Sequence, residues 1–111
     1  QEWWGLNPQM KGTADHLADN GFVALAPDLY RGELAGHDEM DKAGQLMTTL
    51  PSDRAAADMS VAVDHLLDLD AAAGSSIGAL GFCMGGLMTL LIAAAPSRGR
   101  RCRSVLRVPY R

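Results

Sequence analysis

A cysteine lies among glycines in the segment Gly81–Gly86, which reads GFCMGG and directly precedes an apolar run. Because a thiolate is a strong nucleophile, a cysteine held in such a turn could attack a carbonyl carbon. Gly81 and Gly85 lie two residues on either side of Cys83, which is the spacing of the nucleophile elbow G-x-S-x-G with cysteine in place of serine. The opposing interpretation is a structural cysteine at a tight turn, since free cysteine is often a small buried hydrophobe.

A nucleophile elbow makes specific demands on the residues around it. The sharp turn forces strained backbone angles on the nucleophile, and side chains at Gly81 or Gly85 would collide with the adjoining strand and helix. The helix N-terminus beneath Cys83 offers partial positive charge and free N–H groups. Both favour a thiolate and can hold the oxyanion of a tetrahedral intermediate. The pattern therefore requires a strand before Cys83 and a helix after it.

Segments of the required kinds flank the cysteine. Ile77–Phe82 is a short apolar run, which predicts a buried strand of a parallel sheet. Gly85–Ala95 is apolar on all sides, which predicts a buried helix. Further upstream, Phe22–Ala26 has the same character as Ile77–Phe82 and predicts a second buried strand.

Helices are predicted between these strands. Asn7 can cap a helix that begins at Pro8 and ends before Gly21. Lys42–Leu50 predicts a short helix that Pro51 stops, and Ser52 or Asp53 can cap the next one, in which apolar residues recur at helical spacing up to about Leu69. Alternating helices and strands indicate a βαβ arrangement, hence an α/β fold with a parallel sheet and flanking helices.

Composition limits the chain to one small domain, because 111 residues of which 48% are hydrophobic can form a single modest core. Charge is uneven: all 13 acidic residues precede Pro96, while residues 97–111 hold six arginines and no acid. We therefore divide the chain into a domain at 1–96 and an Arg-rich tail at 97–111, which we expect to be aberrant or disordered.

Several classes of protein are not expected. The longest apolar run is far shorter than the roughly 20 residues that span a membrane. Cys83 and Cys102 do not make a disulfide framework, which suggests a reducing compartment and a cytoplasmic location. The histidines are scattered and show no metal-ligand spacing, so no metal or other cofactor is implied. Nucleic acid is not expected as a partner either.

The segments GFCMGG at 81–86, QEWWGLN at 1–7 and GFVALAPDLYRG at 21–32 together resemble the dienelactone hydrolase family, whose members are cysteine hydrolases with an α/β-hydrolase fold. The resemblance runs from Gln1 to about Ala95. It implies a small-molecule lactone or ester as substrate. Family members are about twice as long as this chain, so the resemblance implies an incomplete α/β-hydrolase fold.

The resemblance also implies roles for single residues. Cys83 would be the nucleophile, and the Met84 N–H would be one donor of the oxyanion hole. The Trp3 N–H would be the second donor, just after a missing strand. Glu2 would match the family glutamate that contacts the resting thiol.

Two further residues follow the predicted strand Phe22–Ala26 at its carboxyl end, where open α/β sheets bind ligands. Tyr30 and Arg31 are therefore possible substrate contacts. Arg31 could anchor a carboxylate, although a solvated loop arginine is the alternative. Lys42 is the only lysine or arginine between Gly36 and Gln45. This segment therefore gives little support to recognition of an anionic lactone.

The family completes its catalytic triad with an aspartate and a histidine downstream of the nucleophile. Residues 84–111 contain no Asp, Glu or His. Of the upstream histidines, His16 and His65 are expected on helix surfaces and His37 in a loop. We therefore expect the chain to be inactive alone, with a non-catalytic fragment or interaction module that retains the hydrolase scaffold as the alternative function.

Two interpretations of the Arg-rich tail remain open. A shifted reading frame in a GC-rich gene would produce such a run of arginines. A genuine basic tail would instead bind nucleic acid or anionic lipid, but Tyr110 is its only aromatic residue.

Overall fold

The computed structural model describes residues 1–74 and 76–94 in full and the backbone of residues 102–108. Helices precede and follow a strand, and a second strand comes last. In chain order the elements are α1 (Pro8–Asp19), α2 (Met40–Thr49), α3 (Ser52–Asp68), a 3₁₀ turn (Asp70–Ala72), β1 (Ile77–Phe82), α4 (Met84–Ala94) and β2 (Cys102–Val108).

Helix α1 begins as its sequence predicts. The Met10 N–H donates to Asn7 Oδ1 at 3.0 Å, and Pro8 occupies the first helical position. After the helix ends at Asp19, Gly21 adopts a positive φ of 89°, which glycine tolerates without steric cost. The predicted N-cap, first residue and end of this helix are therefore confirmed.

The predicted cap of α3 is wrong. Pro51 occupies the N-cap position, and no side chain caps the helix. Ser52 is already the first helical residue, so its hydroxyl is not placed to bond the N–H groups of the second and third positions as a cap would. Asp53 instead accepts the N–H of its neighbour Arg54, at 2.9 Å.

The predicted strand Phe22–Ala26 does not form. Residues 22–28 have no regular secondary structure, and Phe22 and Val23 are 62% and 40% exposed. A strand exists only by pairing with a neighbour, and no described segment pairs with this one. The residues of this run predict an apolar segment, but they do not specify a partner strand.

Strand β1 has the predicted bounds and pairs in parallel with β2, with Leu80 opposite Leu106 and Phe82 opposite Val108. The Arg-rich tail is expected to be aberrant or disordered, whereas the backbone of residues 102–108 forms this strand. The division of the chain at residues 96 and 97 stays a prediction.

A small core forms where α3, α4 and the loop before α2 meet. Its buried members are Leu29, Tyr30, Ala55, Met84 and Met88, with Trp3, Leu46, Leu50 and Met59 packed against them. Helix α4 is not buried on all sides as predicted, because Leu87, Leu90 and Leu91 are 55%, 42% and 39% exposed. That face is therefore partly open to solvent.

Candidate functional site

Cys83 lies at the junction of β1 and α4 with its side chain exposed and its backbone in the left-handed region, at φ 53°. Residues other than glycine rarely adopt this conformation. The Cys83 carbonyl accepts the N–H groups of Gly86 and Leu87, at 3.0 and 3.3 Å. The N–H groups of Met84 and Gly85 are therefore the first of the helix and have no intrahelical acceptor.

The flanking glycines are required by close contact and not by φ. A Cβ at Gly81 would overlap the carbonyl of Gly85 and lie 2.7 Å from the Gly86 nitrogen, which confirms the predicted collision with the helix. A Cβ at Gly85 would lie 2.5 Å from the Gln1 carbonyl oxygen. The neighbour that excludes a side chain at Gly85 is thus the backbone of Gln1 and not the adjoining strand.

A tight turn carries the two tryptophans beside this junction. The Gly5 N–H donates to the Glu2 carbonyl at 3.1 Å. Gly5 has a φ of 102°, and a Cβ there would meet the Glu33 carbonyl oxygen at 2.7 Å. Trp3 packs against the buried cluster that contains Met84. Trp3 and Met84 thus belong to one packed cluster, and the roles of their N–H groups as oxyanion donors stay predictions.

Glu2 is predicted to contact the resting thiol of Cys83. The hydrogen bonds and ion pairs shown for residues 1–74 and 76–94 include none between the Glu2 carboxylate and Cys83. Burial lowers the pKa of the Gln1 α-amino group, while the Glu2 and Asp28 carboxylates act in the opposite direction. The role of Glu2 stays a prediction.

The loop at residues 28–32 is fixed by side chains on both sides. Asp28 accepts the N–H of Tyr30 at 3.1 Å with one carboxylate oxygen and that of Gly32 at 2.7 Å with the other. The Leu29 N–H donates to Gln1 Oε1 at 2.8 Å. The loop is consequently tied to the segment that lies against Gly85.

Two arginines and one aspartate hold the same loop to α3. Arg54 Nη2 donates to the Leu29 carbonyl at 2.9 Å. Arg31, whose φ is 54°, pairs through Nη2 with Asp58 Oδ1 at 3.3 Å, and Arg54 Nε lies 4.0 Å from the other oxygen of Asp58. Arg31 is therefore already paired with a carboxylate.

Three of these supporting residues are not predicted by the sequence. Arg54 and Asp58 are spaced four apart on a helix, a recognisable signal for an ion pair, but nothing in that spacing says that Arg54 also holds a loop carbonyl. The sequence does not indicate the bond of Gln1 to Leu29, because a single amide side chain can bond any nearby backbone group.

Tyr30 lies in the buried cluster, next to the candidate nucleophile Cys83. It is 5% exposed, and its hydroxyl donates to the Met84 sulfur at 3.3 Å. Burial raises the pKa of Tyr30 to about 12, and the neighbouring Cys83 acts in the same direction. The hydroxyl therefore stays protonated, and able to donate, throughout the physiological range.

The three histidines lie on α1, on α3 and in the loop before α2. His16 and His65 are exposed on α1 and α3, as predicted. His37 stacks on Trp4, with ring centroids 4.8 Å apart and an angle of 19° between the planes. Within the fully described ranges, no hydrogen bond joins a histidine to Cys83.

Among the described side chains, no three His, Cys, Asp or Glu residues are grouped as a metal ion would require. None of the described helices has the length and apolar content needed to cross a membrane.

A strand-to-helix turn that exposes one residue in the left-handed backbone conformation between close-packed glycines is typical of the α/β-hydrolase fold. The family model for the dienelactone hydrolase family matches residues 1–101. The chain belongs to this family, which implies an α/β-hydrolase fold.

Curated relatives agree with this assignment. The chain is 38% identical over 98 residues to Protein usf of Aquifex pyrophilus, covering 83% of this chain and 42% of the relative. It is 37% identical over 99 residues to a putative carboxymethylenebutenolidase of Aquifex aeolicus, covering 84% and 42%. With the carboxymethylenebutenolidase of Pseudomonas putida it shares 30% identity over 101 residues, covering 85% and 42%. The matched region is thus less than half of each relative.

Proposed function

We propose that this chain carries the nucleophile of a hydrolase for lactones or carboxylic esters, with Cys83 in a nucleophile elbow. In this proposal β1 and β2 belong to a larger parallel sheet of the α/β-hydrolase fold. The observation that supports it best is the left-handed backbone of Cys83 at the β1–α4 junction, with the thiol exposed. A merely structural cysteine has no need of this strained and open position.

The chemistry begins with attack of the Cys83 thiolate on the ester or lactone carbonyl carbon, which forms a C–S bond and places negative charge on the carbonyl oxygen. The N–H groups of Met84 and Trp3 would hold that oxyanion. Collapse of the intermediate breaks the acyl C–O bond, and the departing oxygen takes a proton from solvent. The product of this half-reaction is a thioester on Cys83.

Water must then hydrolyse the thioester, which restores the thiol and releases the carboxylic acid. This step needs a general base, an assistance worth about 10²- to 10⁴-fold. Residues 84–111 hold no Asp, Glu or His, and the histidines of the described ranges make no hydrogen bond to Cys83. We therefore propose that the chain is acylated but does not turn over by itself.

The substrate class follows from the relatives' names and from the loop at residues 28–32. Two relatives are named as carboxymethylenebutenolidases, which favours a lactone. Tyr30 is a weak candidate contact, because it is 5% exposed and its hydroxyl is bonded to the Met84 sulfur. Arg31 is also a weak candidate contact, because a substrate carboxylate would have to displace Asp58 from its guanidinium. A cytoplasmic location, the absence of a nucleic-acid partner and the independence from cofactors stay predictions.

An activated ester separates acylation from turnover. With nitrophenyl acetate in excess, we expect a burst of at most one nitrophenolate per chain and no sustained release. Cys83→Ala should abolish the burst, while Cys102→Ala serves as the matched control and should retain it. Sustained turnover that is lost in Cys83→Ala would show that the chain holds its own base. Absence of any burst would support the alternative, a non-catalytic module that keeps the hydrolase scaffold.

A further inference from the structure

Three hydrogen bonds hold the backbone around Tyr30. Its own N–H donates to Asp28, the preceding N–H of Leu29 donates to Gln1, and the Leu29 carbonyl accepts from Arg54. These bonds involve three separate parts of the chain. Tyr30 therefore has little freedom to move relative to α3 or to the segment that lies against Gly85.

The Tyr30 side chain connects this fixed loop to helix α4. Its ring belongs to the buried cluster, and its hydroxyl donates to the Met84 sulfur at 3.3 Å. Met84 is 6% exposed, so both partners are shielded from water. A buried hydroxyl that loses its acceptor suffers an uncompensated loss of hydration. The pair is consequently held together even though a thioether is a weak acceptor.

The position of Met84 matters for chemistry. It is the first residue of α4 and follows Cys83 directly. Its N–H is free of intrahelical bonds and is one of the two donors proposed for the oxyanion. Since such donors act only when aimed at the developing charge, a small displacement of this first turn weakens them.

From this geometry we propose that Tyr30 is a positioning residue, whose hydrogen bond to the Met84 sulfur fixes the first turn of α4 and so aims the Met84 N–H at the oxyanion. The inference rests on the proposed function, because it presupposes acylation of Cys83. Tyr30 itself does not contact the reacting atoms. The raised pKa of Tyr30 means that the hydroxyl donates at every pH at which the thiol would be assayed.

Two reactions of the same thiol distinguish positioning from mere stability. Acylation by nitrophenyl acetate passes through an oxyanion, whereas alkylation by iodoacetamide displaces iodide and forms none. Tyr30→Phe removes only the hydroxyl, and Met84→Leu removes only the sulfur acceptor at similar volume. We expect each variant to slow acylation by about 3- to 10-fold, the range that one hydrogen bond covers, and to leave alkylation within about twofold.

The double variant tests whether the two residues act through one bond. If they do, Tyr30→Phe with Met84→Leu should be no slower than either single variant, because the effects of contacting residues are not additive. Tyr110→Phe makes the same chemical change outside the described residues and should alter neither rate. Melting temperatures show whether each variant is folded, and Met84→Leu keeps the test valid if Tyr30→Phe does not fold.

The possible outcomes distinguish failure of the positioning role of Tyr30 from failure of the proposed function. Unchanged acylation in both single variants, or an equal loss of acylation and alkylation, would overturn the positioning role while leaving Cys83 as nucleophile. Additive losses in the double variant would overturn the shared bond. If the parent chain is alkylated but never acylated at Cys83, the proposed function itself fails.

Discussion

Gly81 lies so close to the carbonyl group of Gly85 that a Cβ atom has no room between them. The contact joins the penultimate residue of β1 to the first turn of α4, and Cys83 lies between the two. Because both contacting groups are backbone, neither can rotate away. This approach of strand and helix is what sets the geometry of the turn.

Gly81→Ala should therefore be strongly destabilising, by about 3 kcal/mol or more, since overpacking against backbone cannot be relieved by a rotamer change. Gly44→Ala is the matched control, because a Cβ at Gly44 meets nothing within 4 Å and lies in helix α2. That variant should be stabilised by about 0.5–1 kcal/mol. Urea unfolding measures both, and similar stability of the two variants would show that the strand and helix are farther apart than described.

Arg54 and Arg31 should differ sharply in their contributions to stability. Arg54→Ala removes the donor to the part-buried Leu29 carbonyl, which should cost about 1–3 kcal/mol. Arg31 is 62% exposed in its pair with Asp58, so Arg31→Ala should change the free energy of unfolding by less than about 1 kcal/mol. Chemical denaturation of the two variants tests this order, which the reverse result would contradict.

Stability should fall at high pH because of Tyr30. The hydroxyl ionises near its ordinary pKa of 10 in the unfolded chain but near 12 in the folded one. Above pH 10 the unfolded state therefore binds fewer protons than the folded state, and the free energy of unfolding decreases with pH until about pH 12. Tyr30→Phe should remove this part of the decrease, measured by denaturation at pH 9 to 12. Parallel profiles for the two proteins would show that Tyr30 is not shielded.

The exposed face of α4 should promote association. Leu87 is 55% exposed, whereas Met88 beside it is 9% exposed. Leu87→Gln should lower light scattering at a given concentration and change stability by less than about 0.5 kcal/mol. Met88→Gln should instead destabilise by about 2 kcal/mol or more, because it places an amide in the core. Equal effects of the two substitutions would contradict the described orientation of the helix.

Local signals in the sequence predicted what depends on local chemistry. Asn7 and Pro8 specify a helix start by themselves, and the glycines around Cys83 specify a strand-to-helix turn. Pairing could not be predicted in the same way. Phe22–Ala26 has the composition of a strand, but a strand also needs a neighbour, which its own residues do not encode.

In the candidate site too, some residues could be predicted from the sequence and others could not. Cys83 follows from the glycine spacing, whereas the roles of Met84 and Trp3 follow from the family resemblance. The supports do not follow from either: Arg54 reaches the Leu29 carbonyl across 25 residues, and the Tyr30 hydroxyl reaches Met84 across 54. Long-range contacts of this kind depend on how the elements pack, so only the structure reveals them.

The most direct test of the account is to locate the acyl group after the chain reacts with nitrophenyl acetate. Digestion and mass spectrometry of the full chain should find one acetyl group, on the peptide that contains Cys83, bound as a thioester that hydroxylamine removes. Cys83→Ala should leave the chain unmodified under the same conditions. An acetyl group on Cys102, or on lysine with Cys83 still free, would contradict the assignment of Cys83 as the nucleophile.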